Sequence, residues 1–258
     1  MTPDERNQAE IWNEYASKGP LQSTIDPRDA KGLKCRYIDR WSRHYIRKYL
    51  ALAPDMSLLE IGCGSGRNLF PLSKRIRHGY GVDIASAQIT NAVAWRNRLD
   101  LANIDFSHDP EAFLSAPPSI DAVLTMWVLA GFQDDALMIT VLRGYVDSLP
   151  TCHRFVLFEQ VATSRYEVRE GDRFYKTVRT KAEYIELLGA AGLVVEKHET
   201  LPEKGFGPLY RRFFMGRLYS WMPSWLDLSA ILFPLDRLLV DRSIRDTFTD
   251  GVFVCGRR

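Results

Sequence analysis

The spacing of apolar and polar residues changes character along the chain. Between residues 5 and 18, Ile11, Trp12 and Tyr15 recur at helical spacing and predict an amphipathic helix. A polar stretch containing Gly and Pro follows to about residue 34, and residues 35–52 read as a second helix. Beyond it, short apolar runs alternate with longer amphipathic ones, the pattern of βαβ units and a parallel sheet. Strands are predicted at 57–61, 79–83, 104–107, 120–126, 154–159, 193–197 and 251–255. Helices are predicted between them at 67–76, 86–99, 134–149 and 181–191. Ser86 is placed to cap its helix, Thr180 stands three residues before Glu183 as in a capping box, and Gly192 is placed to end the last helix.

The segment 201–248 breaks this rhythm. It contains FFMGRLYSWMPSWLDLSAILFPLDRLLV, and Pro223 and Pro234 divide it into short helices. Its place between the last two strands makes it an insertion, read here as a lid. Phe206, Tyr210, Phe213, Phe214, Tyr219, Trp221, Trp225 and Phe233 alternate in it with Arg211, Arg212 and Arg217. Three readings stay open at this point: an ordinary packed cap, the wall of a pocket for a lipidic or aromatic acceptor, and a peripheral contact of 206–240 with a membrane interface.

Composition narrows the class. With 258 residues and 46% apolar content, the chain is long enough for one α/β domain with an added cap. A net charge of +2 with only short basic runs gives no nucleic-acid signature. Cys35, Cys63, Cys152 and Cys255 are widely spaced with no Cys-x-x-Cys, so neither a zinc site nor a disulfide framework is expected and a reducing cytoplasm fits. The first residues are charged and lack the apolar core of a secretory signal. No apolar run approaches the ~20 residues of a membrane span.

The chemistry is concentrated in LLEIGCGSGRNLFPL, residues 58–72. Gly62, Gly64 and Gly66 accept positive φ and let a ligand approach the backbone. They lead from a predicted strand into a predicted helix, whose N-terminal amides favour electronegative groups. The site therefore lies at the carboxyl end of the first strand, where open α/β sheets bind ligands. A dinucleotide fingerprint needs a glycine at position 67, which is Arg. Asp83 ends the next predicted strand, and a carboxylate there can accept from both hydroxyls of a ribose.

The E-x-G-x-G-x-G run from Glu60 to Gly66 resembles motif I of the class I S-adenosylmethionine-dependent methyltransferases. The resemblance continues in GYGVDI, in IDFSHDPEAF, in IDAVLTMWVLAGFQDD (similar to motif IV) and in the closing RTKAEYIELLGAAGLVVEKHE and DGVFVCGRR, and covers roughly 55–200 and 249–258. It implies that the cofactor is S-adenosylmethionine, held by Glu60, Gly62, Cys63, Gly64 and Gly66 around its methionine part, Asp83 at the ribose, and Ile84, Asp109 and Pro110 at the adenine. Trp127 would line the place of the reacting methyl. Many members of the family carry a His in the turn after motif IV, where this chain has Ala130 and Gly131.

A sulfonium methyl is already activated, so the chemistry needs in-line alignment and exclusion of water more than covalent help. The positive sulfur favours aromatic faces such as Trp127 or Tyr15. For a hydroxyl acceptor a general base helps, and Glu159, at a strand end, and His108 are the candidates. Tyr15, Gln160, Tyr175 and Arg179 are candidate acceptor contacts, and Lys176 with Tyr175 and Arg179 could meet an anionic or polyol acceptor; no metal ligands are expected. WNEYASKGP, GLKCRYIDR and the FEQV to YKTVRTKAEY region resemble, more distantly, bacterial methyltransferases of the polysaccharide and glycolipid type.

The expected architecture is a Rossmann-like α/β fold: a seven-stranded, mostly parallel sheet with helices on both faces and the last strand antiparallel. Residues 1–52 form an N-terminal helical cap, 53–200 and 249–258 the cofactor-binding core, and 201–248 the inserted lid. The expected activity is O- or N-methylation of a small molecule or a glycan or lipid-linked acceptor, in the cytoplasm, with peripheral membrane contact left open. The alternatives are a nucleotide-dependent oxidoreductase of the same fold and a non-catalytic cofactor-binding subunit. The oligomeric state is not assigned.

Overall fold

The computed structural model describes residues 2–201, 209, 221–239 and 248–258. Five strands follow the predicted alternation: β1 (Ser57–Ile61), β2 (His78–Val82), β3 (Ile104–Ser107), β4 (Ala122–Met126) and β5 (Arg154–Ala162). They run parallel in the order β3-β2-β1-β4-β5. The strand order therefore reverses between β1 and β4, and the two chain segments leaving these strands diverge to leave a crevice at their carboxyl ends. After β5 come β6 (Tyr166–Glu170), β7 (Arg173–Thr180), β8 (Leu193–Leu201) and β9 (Thr249–Arg257). β9 is antiparallel to both β5 and β8 and closes that side of the sheet.

All seven expected strands are present, but the sheet has nine. The extra pair, β6 and β7, is an antiparallel hairpin turning at Gly171, whose φ is +63°. It joins the sheet only where Val161 and Ala162 at the end of β5 meet Arg179 and Thr180. The sequence pattern predicts no strand between 160 and 192. The strands are short and mostly polar on their outer face, so no apolar run announces them.

The eight α-helices among the described residues are α1 (Pro3–Tyr15), α2 (Pro20–Thr24), α3 (Leu33–Leu50), α4 (Ser86–Arg98), α5 (Pro110–Ser115), α6 (Asp135–Ser148), α7 (Lys181–Ala190) and α8 (Ser229–Leu239). Strand alternation divides the core into two layers. Leu58, Leu124, Met126, Val156 and Phe158 face α3, whose Tyr37, Ile38, Trp41 and Tyr45 cover them. Leu59, Val123, Phe155 and Leu157 face the other way, against Leu142 and Val146 of α6 and Leu188 of α7.

Two local expectations need correction. Residues 67–76 do not form an α-helix; Phe70–Arg75 is a 3₁₀ helix preceded by turns. Pro71 has no N–H to give the carbonyl four residues back, so an α-helical turn cannot close there. The glycine corner therefore does not open an α-helix and lacks a long helix's aligned amides. Ser86 is not a cap either: Ala85 occupies that position without a side-chain bond. The free amides at the start of α4 are met instead by Asp83 Oδ1, which accepts from Ala85 N (2.8 Å), and Asn13 Oδ1, which accepts from Ala87 N (2.9 Å). Thr180 and Glu183 do form a capping box, and Gly192 follows α7 with φ +90°. Of the inserted segment, the described part carries α8 with Pro234 inside it; Phe206, Tyr210, Phe213, Phe214 and Tyr219 lie outside the described residues.

Candidate functional site

The corner after β1 is shaped by backbone conformation. Gly62, Gly64 and Gly66 have φ of +67°, +53° and +81°. A side chain would also collide: a Cβ on Gly62 would fall 2.4 Å from Val128 Cγ2, and one on Gly64 2.5 Å from Thr24 Cγ2. The corner is tied to β2, since Gly62 N donates to Val82 O (2.7 Å) and Gly64 N to Asp83 Oδ2 (2.8 Å). Each oxygen of Asp83 thus accepts one backbone N–H and keeps lone-pair capacity for another donor. Burial raises the pKa of this carboxyl above its ordinary value, and the two amides oppose the rise.

Glu60 is off the cavity wall, though near enough that, beyond burial, the charge of Asp83 helps raise its pKa. β-strand alternation turns it to the α3 side, where it is 1% exposed and accepts from Asn68 Nδ2 (2.6 Å). Its other oxygen has no partner. Burial pushes its pKa up to about 8, against the lowering effect of Asn68. Arg67 lies in the same buried layer, with Nη1 3.3 Å from Asp39 Oδ1 and its guanidinium 5.6 Å from the Trp127 ring.

The turn after β4 is held from both sides. Trp127 has φ +60°, a left-handed conformation that costs a bulky residue energy and is retained where the surroundings enforce it. Its indole N–H donates to Asp250 Oδ1 (3.1 Å). Next to it, fully buried Glu159 accepts from the amides of Val128, Leu129 and Ala130. Fully buried Arg179 donates to the carbonyls of Leu129 (3.1 Å) and Phe132 (2.7 Å) and to Asp135 Oδ1. A carboxylate on the turn's amides and a guanidinium on its carbonyls fix its shape. Burial raises Glu159 to about 7 even so, with the three amides pulling it down.

This geometry reassigns two candidates. Glu159 is committed to three amides and positions the turn, so it is not a free base. Arg179 is a buried strut of the same turn and does not reach an acceptor.

The corner and the turn face each other across a cavity of about 230 Å³. Of the candidate cofactor residues, Gly62, Gly64, Asp83, Ile84, Pro110 and Trp127 are on its wall. Glu60, Cys63, Gly66 and Asp109 are not: Cys63 is buried, Gly66 packs against Phe70 and Phe106, and exposed Asp109 caps α5 by accepting from Ala112 N (2.9 Å). His108 is exposed and outside the cavity. Gln160 and Tyr175 are on the wall. Tyr15 is off it, donating to Glu170 Oε2 (2.6 Å); burial and this partner raise its pKa to about 12.

The wall includes residues of α1 that the sequence did not announce, and the candidate Lys176. α1 lies over the cavity, with Gln8 and Trp12 on it, and is tied to β7 by Gln8 Nε2 donating to Tyr175 O (3.1 Å) and to α4 by Gln88 Nε2 donating to Trp12 O (3.1 Å). Lys176, on β7, donates to Gln160 Oε1 and stands 4.6 Å from the Phe248 ring centre.

These features bring together a bare peptide corner, a carboxylate on the adjoining strand and a fixed turn across from both. A methyltransferase-domain family matches residues 58–148, from the start of β1 to the end of α6. The matched stretch, about a third of the chain, is thus similar to a methyltransferase domain. Two curated relatives align with it and its surroundings. One is the indolepyruvate C-methyltransferase of Streptomyces griseus, 26% identical over 142 residues, which are 52% of this chain and 41% of that protein. The other is the aclacinomycin 10-hydroxylase RdmB of Streptomyces purpurascens, 27% identical over 163 residues, 55% of this chain and 41% of that one. The chain thus spans about two fifths of the length of these relatives. Among solved structures, geranyl diphosphate C-methyltransferase from Streptomyces coelicolor A3(2), in complex with Mg²⁺, geranyl diphosphate and S-adenosyl-L-homocysteine, has a TM-score of 0.65 at 14% identity and covers all of both chains. That likeness shows that the two chains share one fold.

The wall residues missed by sequence reasoning lie mostly outside the stretch that the family matches. Gln8 and Trp12 come from α1, and the hairpin that carries the candidate Lys176 follows β5. The only sequence signal for the hairpin was the alternation in YEVRE and RFYKTVRT around EGDR.

Proposed function

We propose that this protein transfers a methyl group from S-adenosylmethionine to a small organic acceptor by in-line displacement. The observation that carries the proposal is the pairing of the glycine corner with Asp83, both on the cavity wall and joined by the Gly64 N–H. The residues present fit this cofactor. Gly62 and Gly64 expose backbone at the crevice, and Asp83 keeps acceptor capacity for a vicinal diol. Ile84, Pro110, Phe132 and Val141 offer apolar surface for a flat base. Trp12 and Trp127 supply aromatic faces suited to a positive centre. When bound, the cofactor supplies a methyl group on a sulfonium, already activated for displacement.

The chain's own contribution is alignment and exclusion of water. Glu159 and Arg179 hold the turn that carries Trp127, and α1 covers the opening. Lys176 and Gln160 bring a cation and an amide to a wall otherwise rich in aromatic surface, with Trp12, Tyr175 and Trp127. That wall suits a planar acceptor with an anionic or enolic oxygen near Lys176. Among the described residues on the wall there is no histidine; its second carboxylate, Glu5, accepts from Thr2 N in the cap of α1, and the carboxylate of Asp250 accepts from the Trp127 indole, which favours an acceptor that arrives with its nucleophile ready. The similarity to an indolepyruvate C-methyltransferase supports the same class.

The similarity to RdmB favours a second reading, in which the same fold serves a reaction other than methyl transfer. The test is to incubate the protein with S-adenosylmethionine and a panel of aryl 2-oxo acids, phenols, amines and glycosides, and to quantify S-adenosylhomocysteine and methylated product by mass spectrometry. Acceptor-dependent formation of both is expected. Binding of NADH with no binding of S-adenosylhomocysteine would point to the oxidoreductase alternative. Binding of the cofactor with no acceptor consumed at all would point to a cofactor-binding subunit.

A further inference from the structure

The outer face of α8 and the two tryptophans before it are unlike the rest of the surface. α8 is seated on α3 through one side only. Arg40 Nε donates to Ser229 Oγ (2.6 Å), Tyr37 OH to Asp236 Oδ2 (2.5 Å), and Phe233 sets its edge on Trp41 with centroids 5.0 Å apart. Buried Leu232 completes this inner face. The opposite face carries Ile231, Leu235 and Leu238 at helical spacing, with Leu239 beside them, and all four are exposed. Leu238 is 83% exposed, and Trp221 and Trp225 are 86% and 79% exposed. Six large apolar side chains thus project from one short segment, whereas apolar residues on an ordinary surface are scattered singly.

Cations border this patch. Lys31 Nζ donates to the carbonyl of Met222 (2.8 Å) and Arg36 Nη2 to that of Ser224 (2.6 Å), so both stand at the foot of the tryptophan loop. Arg40, Arg47 and Lys48 are exposed along α3, with Arg43 half-buried between them, and Arg237 is exposed on α8. Among the described acids in the same region, Asp227 pairs with Arg36 and Arg40, Asp39 with Arg43 and Glu199 with Lys48, and buried Asp236 accepts from Tyr37 OH. Arg47 and Arg237 join no ion pair among the described residues. The cations exceed the acids, and the acids are more deeply placed.

We propose that this face is a docking surface for an anionic lipid bilayer. Exposed tryptophans beside a short helix with an exposed leucine-rich face, bordered by Arg and Lys, match the chemistry of the headgroup boundary, where indole rings and aliphatic side chains enter and cations meet lipid phosphates. No helix among the described residues is long and apolar enough to cross a membrane, so the contact is in the plane of the interface. Charge complementarity selects the occupant: a purely apolar protein partner would not need the surrounding cations. The proposal is independent of the reaction assigned to the cavity.

The test uses the full chain and two sets of vesicles, phosphatidylcholine alone and phosphatidylcholine with phosphatidylglycerol. Co-sedimentation with the anionic vesicles, a blue shift of tryptophan emission on adding them, and weakening by salt are expected. The double variant Trp221→Ser/Trp225→Ser should reduce vesicle partitioning by about tenfold or more. Leu238→Glu, at an exposed position outside the seat on α3, provides a second variant if the first folds poorly; both are checked by circular dichroism. Failure of the wild type to bind either vesicle overturns the proposal. So does binding that both folded variants retain in full, or a concentration-dependent dimer that the variants abolish while no vesicle binding is seen.

Discussion

The two walls of the cavity are built in different ways. The cofactor wall is a backbone feature: two glycines at positive φ, Gly62 and Gly64, and one carboxylate held by two amides, all within residues 62–85. The acceptor wall is a side-chain feature, assembled from α1, from the end of β5 and from β7, where Gln8 and Tyr175 stand 167 positions apart. The first is fixed by local conformation and the second by long-range packing. One wall therefore tolerates almost no change, while the other can be rebuilt without disturbing the fold.

The largest effect is expected at the corner. Gly62→Ala forces an alanine to φ +67° with its Cβ 2.4 Å from Val128. The left-handed conformation alone costs about 1–2 kcal/mol, and displacement of the turn adds to it. Chemical denaturation should show at least that loss, and calorimetry should show S-adenosylhomocysteine affinity reduced by more than about tenfold. Arg179→Ala comes next. It leaves the carbonyls of Leu129 and Phe132 without their buried donor, and unfolding free energy should fall by about 2–4 kcal/mol. A variant of full stability that only lost acceptor affinity would return Arg179 to the acceptor wall.

Lys176→Met tests the other wall. The Michaelis constant for an anionic acceptor should rise about tenfold while cofactor affinity stays within about twofold, the size of one lost charged hydrogen bond. A parallel loss of cofactor binding would show that the two walls are not separable. The smallest effect concerns Glu60. Its folded pKa of about 8 lies above the ordinary carboxylate value, so its contribution to stability is complete at low pH and is lost as pH rises toward 8. Glu159, raised to about 7, acts in the same direction. Glu60→Gln should flatten the decline of the urea midpoint over that range, and an unchanged slope would remove Glu60 from the account of it.

The same contrast explains what the sequence made legible. The alternation of apolar runs placed every core strand, because each must be buried on both faces between α3 on one side and α6 and α7 on the other. Gly62, Gly64 and Asp83 were legible because few side chains satisfy a left-handed corner and a strand-end acceptor. Glu60 was misplaced because a motif gives order along a strand, while the pleat decides which face each residue meets. Glu159 and Arg179 looked chemical because charged residues at strand ends usually face solvent or ligand; here they close the hydrogen bonds of a turn. Gln8 and Trp12 were hidden because only the packing of α1 over the crevice brings them there.

The central claim is that the corner at residues 62–64 and the carboxylate of Asp83 form one seat for an adenosyl sulfonium. Calorimetric titration of wild type and Asp83→Ala with S-adenosylhomocysteine tests it most directly, with circular dichroism confirming that both are folded. The account predicts saturable binding to wild type and a loss of more than about tenfold in the variant, the worth of a charged hydrogen bond or more. Equal affinity in the two proteins, or no binding to wild type, would contradict it.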